Sequence, residues 1–281
     1  MNTIQIKMEI GNKTATLHEI CGHDLLKFKN GIYNLSTRQF HPTDCNDSVL
    51  TTGYDYIEFG QSDETVINVE NFMSQLFPDP QVYDSVLNML FSFLHGLNPD
   101  QKFHIWVGSG SNGKSTLLKL LQLALGSYLG IIPIKFLRKN DSENENENEN
   151  ENDEFPIWIG EGNGGKSTLF QLLHGCRVLL VDKSGIDDDE LSSGQIKSWV
   201  GGDMGGPYKL IYCCNRLPKF QSLDAGLLRR RSITQFGSKF VTNPNLQNPC
   251  EFLVNPYLGD KLVEWRQAFM WILLQHHKLS C

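Results

Sequence analysis

The sequence lacks long apolar runs and a cysteine pattern, and each absence excludes a class of protein. No segment of about eighteen or more uninterrupted apolar residues occurs, so the sequence predicts no membrane span. The seven cysteines show no C-x-x-C spacing and follow no apolar secretory leader. This pattern indicates reduced intracellular thiols rather than disulfides or a zinc site. We therefore expect a soluble protein.

The sequence also has no excess of basic over acidic residues. The net charge of −7 argues by itself against a nucleic-acid partner, because phosphate backbones are bound by Lys and Arg. However, eight of the 32 acidic residues lie in the segment DSENENENENENDE at residues 141 to 154, which has no Lys or Arg. The rest of the chain has 24 acidic and 25 basic residues. The remaining chain is thus compatible with a local basic channel. The Glu-Asn alternation has no apolar residue to bury, so we expect a disordered surface insertion over residues 140 to 155.

Two phosphate-binding motifs of the form G-x-x-x-x-G-K-S are present. The second covers residues 160 to 167 and includes Lys166, and the first, followed by Thr116, comprises Gly108, Ser109, Gly110, Ser111, Asn112, Gly113, Lys114 and Ser115. In such a loop the backbone N–H groups surround the phosphates, the Lys reaches the β/γ-phosphates, and the Ser hydroxyl ligates Mg²⁺. The sequence therefore predicts a nucleoside triphosphate and Mg²⁺ as cofactors.

The two copies differ in their surroundings. Residues 103 to 107 predict a buried strand before the first loop, and the Leu-rich segment after Lys114 predicts a helix that Gly126 ends. Only ten residues separate Lys166 from Arg177, enough for about two helical turns. We expect Lys114 to hold ATP and the copy at residues 160 to 168 to be a local duplication.

Two further apolar runs end in polar residues, as buried parallel strands do when they deliver side chains to a site. Residues 177 to 182 end in Asp182, a candidate Mg²⁺ ligand together with Ser115. Residues 209 to 215 end in Asn215, whose amide can both donate and accept. A plain turn at Asn215 remains an alternative.

Several segments resemble one family. They are Phe28-Lys-Asn-Gly-Ile-Tyr-Asn-Leu35, Thr52-Gly-Tyr-Asp-Tyr56, the run from Gln101 through the first phosphate loop, and Val-Gly-Gly-Asp ending at Asp203. Together they resemble the poxvirus-type primase-helicases of large DNA viruses, which are superfamily 3 helicases. The resemblance implies ATP-driven unwinding during DNA replication by a homo-hexamer on single-stranded DNA, in the host cytoplasm or virus factory. It also implies a primase module or other replication proteins as partners. No primase module precedes Met1, so we expect the helicase part alone.

The resemblance also implies residue roles. It assigns Asn215 to the γ-phosphate and attacking water, and it makes Arg229 and Arg230 candidates for an arginine finger that enters the neighbouring subunit's ATP site. A basic turn is the alternative for these arginines.

The sequence departs from the family at two places. Lys183 stands where a Glu is expected, and only Met-Gly-Gly-Pro-Tyr replaces a longer DNA-contacting hairpin before Lys209. Lys197, Trp199 and Lys209 lie nearby, although a Lys-x-Trp pair is more often packing than a stacking platform.

Three functional hypotheses follow. The first is an ATP-dependent DNA helicase, and the second is a nucleotide-binding, hydrolysis-poor relic or regulatory subunit. The third, an unrelated P-loop kinase or switch, is disfavoured because no second-substrate lid or base-recognition motif is evident.

The expected fold is an α/β P-loop NTPase (AAA+-like), with a central, mainly parallel sheet flanked by helices. Residues 1–66 alternate apolar and polar side chains around Gly-Ile-Tyr and Thr-Gly-Tyr-Asp-Tyr turns, which predicts a β-rich accessory module. A helical lead-in is expected over 67–100, broken near Pro78-Asp-Pro80, then the ATPase core over 101–240 and a helical segment over 241–281.

Overall fold

The structure, a computed structural model, describes residues 7–10, 13–16, 23–45, 50–138, 173–182, 190–203 and 208–279. The acidic insertion, the second phosphate loop, Lys183 and residues 204 to 207 lie outside the described residues. The chain forms two compact units that interleave along the sequence. Unit 1 comprises Met1–Leu97, Ser115–Tyr128 and Ser238–Cys281, and unit 2 comprises Asn98–Lys114 and Leu129–Gly237.

Unit 1 begins with short antiparallel strands. A hairpin pairs β1 (Lys7–Ile10) with β2 (Lys13–Thr16), and a three-stranded sheet contains β3 (Leu25–Phe28), β4 (Gly31–Asn34) and β5 (Gln39–Pro42). The prediction of a β-rich start is confirmed. The expected turn at Gly-Ile-Tyr is wrong, because Gly31 opens strand β4 and the chain reverses at residues 29 and 30.

Two helices follow with clear start signals. Helix α1 (Glu64–Leu76) begins after Asp63, whose carboxylate accepts a hydrogen bond from the Thr65 N–H at 2.9 Å. Helix α2 (Pro80–Ser92) is capped by Asp79, and its proline fits the first turn, where no intrahelical partner is needed. The break predicted near Pro78-Asp-Pro80 is confirmed.

Unit 1 continues with helix α3 (Lys114–Leu125), which begins at the last residue of unit 2, and closes with helix α6 (Leu258–Leu279). Helix α6 packs on α1 and α2, and Phe72 lies 5.8 Å from Trp265 between ring centroids. A short parallel pair, β13 (Lys239–Val241) and β14 (Glu251–Leu253), precedes α6. No helix in the described part of the chain is long and apolar enough to span a membrane.

A five-stranded parallel sheet forms the centre of unit 2. Its strands are β6 (Phe103–Val107), β7 (Leu129–Pro133), β8 (Val178–Asp182), β10 (Lys209–Cys214) and β12 (Arg231–Gln235). The spatial order is β12-β6-β10-β8-β7, so β6 lies inside the sheet and all five of its residues are buried. The predicted parallel α/β architecture is confirmed.

Short elements complete unit 2. Strands β9 (Glu190–Leu191) and β11 (Lys219–Phe220) pair in parallel, and the helices are α4 (Ser193–Gly201) and α5 (Ala225–Arg230). The hydrophobic core brings residues of the sheet together with residues of α4 and α5, and its largest members include Phe103, Tyr212, Trp199, Leu179, Leu210, Ile196 and Leu227. This packing fixes the strand ends from which the candidate site is built.

Candidate nucleotide site

The first phosphate loop starts where strand β6 ends. The Gly108 N–H donates to the carbonyl oxygen of Cys214, the last residue of β10, at 3.2 Å. A Cβ at Gly108 would lie 2.6 Å from the Phe236 carbonyl oxygen, so this position has no room for a side chain. The loop therefore begins at the carboxyl edge of the parallel sheet, where ligands of α/β folds bind.

Local backbone conformation turns the loop into the helix. Ser111 and Gly113 have φ angles of 60° and 75°, in the left-handed region. The Asn112 side chain is buried, and its carbonyl oxygen accepts a hydrogen bond from the Lys114 N–H at 3.3 Å. Such alternation of backbone conformation turns N–H groups toward one point and suits the binding of an anion.

Lys114 is the charged residue of the loop. Its Nζ donates to the Gly108 carbonyl oxygen at 2.7 Å, and the residue is only 8% exposed. Burial lowers the pKa of Lys114, while Cys213 and Cys214 act in the opposite direction. Phosphate oxygens would favour the charged ammonium, so a bound triphosphate would relieve the cost of burying it. The donors present thus fit a triphosphate.

Two predicted site residues lie at the same edge of the sheet. Asp182 ends strand β8, opposite Pro133 of β7, and it is partly exposed. Asn215 follows β10 directly and is exposed. Since the register pairs Cys214 of β10 with Val107 of β6, both residues lie at the edge from which the phosphate loop departs.

The hydroxyl residues of the motif occupy the start of helix α3. Ser115 and Thr116 are its second and third residues, with Ser115 exposed and Thr116 partly buried. A helix start presents unpaired N–H groups and the positive end of the helix dipole, which favours phosphate.

The two candidates for the arginine finger, Arg229 and Arg230, lie at the amino ends of the strands, opposite the ends from which the phosphate loop departs. Strand β12 begins at Arg231, which pairs with Phe103 at the start of β6. Arg229 and Arg230 precede this pair, and both donate to the side-chain oxygen of Gln101. Five strand residues span about 16 Å, so neither arginine reaches the phosphate loop of its own chain.

The two arginines differ in exposure and in their hydrogen bonds. Arg230 is partly buried and also donates to the Gly226 carbonyl oxygen at 3.1 Å. Arg229 is exposed, and its guanidinium lies 3.4 Å from the Gln101 oxygen. Arg229 is therefore the more exposed of the two, with one side-chain hydrogen bond against two for Arg230.

The sequence reasoning missed buried basic groups near the amino edge of the sheet. Burial, followed by the charges of Lys209 and Lys102, lowers the pKa of His104 to about 3. Burial and Arg177 lower the pKa of Lys209 to about 7. The sequence carries one signal for these groups: a basic residue stands at the start of a buried strand, Lys102 before β6 and Lys209 in β10. Trp199 is buried and Lys197 pairs with Asp224 at 2.7 Å, so the packing interpretation of the Lys-x-Trp pair is confirmed.

The chain is similar to proteins of large DNA viruses. It is 28% identical over 278 residues to "Putative helicase L207/L206" of Acanthamoeba polyphaga mimivirus, covering 90% of this chain and 27% of that protein. It is 26% identical over 284 residues to "Putative helicase 184R" of Invertebrate iridescent virus 6, covering 89% and 27%. The chain therefore spans about a quarter of the length of these curated relatives. No protein-family model matches.

Two solved structures are also similar to the chain. The C-terminal region of NrS-1 matches with a TM-score of 0.49 and 12% identity, covering 89% of this chain and 52% of that one. JCV helicase matches with a TM-score of 0.35 and 12% identity, covering 75% and 53%. The resemblance to helicases of large DNA viruses, drawn from the motifs, is confirmed by the viral relatives.

Proposed function

We propose that the chain is an ATP-dependent DNA helicase of the superfamily 3 type, which couples ATP hydrolysis to translocation on single-stranded DNA in viral replication inside the host cell. The observation that carries this proposal is the phosphate loop at the end of the inner strand β6, with buried Lys114 inside it and with Asp182 and Asn215 at the same sheet edge. The names of the viral relatives support it.

Each residue of the edge takes one role. The loop N–H groups and Lys114 hold the triphosphate, and Ser115 and Asp182 hold Mg²⁺. The metal, when bound, neutralises charge on the phosphate oxygens. Asn215 orients the attacking water, because an amide can accept from water and donate to phosphate together.

A second copy of the chain completes the site in this proposal. Because Arg229 lies at the far edge of the sheet, it serves the ATP held by a neighbouring subunit, as in a homo-hexameric ring. A guanidinium placed on the transferred phosphoryl group stabilises the charge that develops there. Arg230, tied to Gly226 and Gln101, positions the segment that carries Arg229.

One feature favours a second candidate, a nucleotide-binding protein with little hydrolysis that assembles with an intact helicase. Lys183 follows Asp182 where a Glu would activate water, so a base is replaced by a cation. Under this alternative, Lys183→Glu raises the turnover number of the purified chain. Unchanged turnover in that variant counts against it.

The direct test is Mg²⁺-dependent ATP hydrolysis with and without single-stranded DNA. The helicase proposal predicts hydrolysis that single-stranded DNA stimulates and that Asp182→Asn abolishes. A well-folded sample with neither hydrolysis nor stimulation contradicts the proposal. Mass photometry with ATP, in which a six-subunit species is expected, tests the ring separately.

A further inference from the structure

A cleft of about 410 Å³ lies within unit 1, between the β-rich start of the chain and helix α6. Its volume falls in the range of sites that hold small ligands or parts of larger ones. Polar and aromatic residues give the lining its chemistry, among them Lys29, Asn30, Asp55, Tyr56, Arg266 and Gln267. None of them belongs to the nucleotide site.

Arg266 is the anchor of this cleft. Its guanidinium carbon lies 4.8 Å from the centroid of the Tyr54 ring, and its Nε is buried without a hydrogen-bond partner among the described residues. Tyr54 is itself buried, and its hydroxyl donates to the Ala124 carbonyl oxygen at 2.7 Å. A guanidinium stacked on a fixed ring keeps its edge donors available for an anion.

Hydrogen bonds from side chains to backbone groups hold the rest of the lining, at Asn30, Asp55 and Tyr56, in place. The Asn30 side chain donates to the Tyr56 carbonyl oxygen at 3.0 Å and accepts from the Tyr56 N–H at 2.8 Å. Gln267 donates to the Asp55 carbonyl oxygen at 2.9 Å. The Tyr56 ring packs on Phe40, with 4.6 Å between centroids, and remains partly exposed. This part of the lining is therefore ordered before any ligand arrives, which reduces the entropic cost of binding.

The charges of the lining select the ligand class. Lys29 is exposed and Arg266 lacks an acidic partner among the described residues, whereas Asp55 is the acid of the lining. Cations next to an aromatic ring are the combination that binds single-stranded nucleic acid, with phosphates on the cations and bases on the ring. A carboxylate can accept a hydrogen bond from an amino or ring N–H of a base, whereas it would repel an acidic peptide.

We propose that this cleft binds a short segment of single-stranded DNA, with Lys29 and Arg266 at the phosphates and Tyr56 against a base. The inference deepens the proposed helicase function, because it supplies a DNA contact outside the ATPase sheet. It also offers a contact that does not depend on residues 204 to 208, where the sequence is shorter than the resemblance implies.

The test measures fluorescence anisotropy of a labelled 20-nucleotide thymidine oligomer with the full chain, without nucleotide. Lys29→Glu and Arg266→Gln are expected to weaken binding about tenfold or more, the effect of losing a charge-assisted contact. Lys261→Glu is the matched control, since Lys261 is exposed on helix α6 outside the cleft and undergoes the same charge change. An abasic oligomer is expected to bind at least about fivefold more weakly than the thymidine oligomer.

Binding of MgATP to the same variants separates this inference from the helicase proposal. The inference predicts unchanged MgATP affinity in Lys29→Glu. The inference is overturned if Lys29→Glu and Lys261→Glu lose DNA binding equally. It is also overturned if polyglutamate displaces the labelled oligomer as well as unlabelled DNA does. One outcome separates the two proposals: the wild-type chain hydrolyses ATP with stimulation by DNA, and Lys29→Glu binds DNA normally. The helicase proposal then stands, and the proposal that the cleft binds DNA is overturned.

Discussion

At the scale of single residues, Gly108 fixes the start of the first phosphate loop. An added Cβ would lie 2.6 Å from the Phe236 carbonyl oxygen, a backbone atom that cannot move alone. At Gly110 a Cβ would meet nothing within 4 Å. Close packing therefore requires glycine at position 108, whereas no described atom crowds position 110.

This difference gives the first prediction. Gly108→Ala should lower the free energy of unfolding by about 1–3 kcal/mol, because it overpacks a fixed contact. Gly110→Ala, the control, should change it by less than about 0.5 kcal/mol. Urea unfolding of both variants measures the difference. Equal stability of the two variants would show that the Gly108 contact is not tight.

His104 gives a prediction about acid stability. Its pKa is about 3 in the folded chain, against about 6.5 when unfolded, because burial and two lysines oppose its charge. Between these values the unfolded chain binds the extra proton, so stability is full above pH 6.5 and falls as the pH drops toward 3. The loss approaches about 1.4 kcal/mol per pH unit for one proton.

The check compares the wild type with His104→Gln in urea unfolding at pH 7 and pH 5. The variant cannot take up this proton, so its stability should fall less than that of the wild type. Parallel losses in the two proteins would contradict the assignment.

At the scale of elements, the end of helix α3 depends on the loop before α1. Tyr54 donates to the Ala124 carbonyl oxygen, the Ser127 N–H donates to the Thr51 carbonyl oxygen at 3.1 Å, and Gly126 has a φ of 55°. The Tyr54 hydroxyl satisfies one of the carbonyls that a helix end leaves unpaired, and the bond from Ser127 to Thr51 ties the chain after Gly126 to the loop.

Tyr54→Phe tests this contact. The variant leaves a buried carbonyl without its donor, so we expect a loss of about 1–3 kcal/mol in the free energy of unfolding. Tyr257→Phe is the control, because Tyr257 is 71% exposed. Thermal and urea unfolding of both should separate them. A Tyr54→Phe chain as stable as the control would remove the proposed role of the hydroxyl.

Local signals made several elements predictable. The strand expected at residues 103 to 107 is found as Phe103–Val107, and the helix after Lys114 ends at Leu125, before Gly126. Continuous apolar runs and a C-terminal glycine act over a few neighbours, so they can be read from sequence.

Pairing between distant segments was not predictable. Arg231 lies beside Phe103 although 128 positions separate them, and this register puts Arg229 at the edge opposite Lys114. The cleft at Arg266 and the low pKa of His104 depend on the same kind of distant contact. No local pattern marks any of them. The linear domain division expected from sequence stays a prediction.

At the scale of the whole molecule, the position of Arg229 predicts complementation between two inactive variants. Lys114→Ala should lose ATP hydrolysis because its loop is damaged, and Arg229→Ala should lose it because its finger is missing. In mixed rings, an intact loop can meet an intact arginine at about a quarter of the interfaces, so mixing should restore part of the activity. Two inactive variants that stay inactive when mixed would contradict action in trans.

The central claim is that the loop containing Lys114, and not the copy containing Lys166, holds the nucleotide. Isothermal titration of MgATP into wild type, Lys114→Ala and Lys166→Ala tests it most directly. We predict that Lys114→Ala weakens binding about tenfold or more, through loss of a charge-assisted contact to phosphate, while Lys166→Ala binds as the wild type does. Normal binding by Lys114→Ala, together with lost binding by Lys166→Ala, would contradict the account.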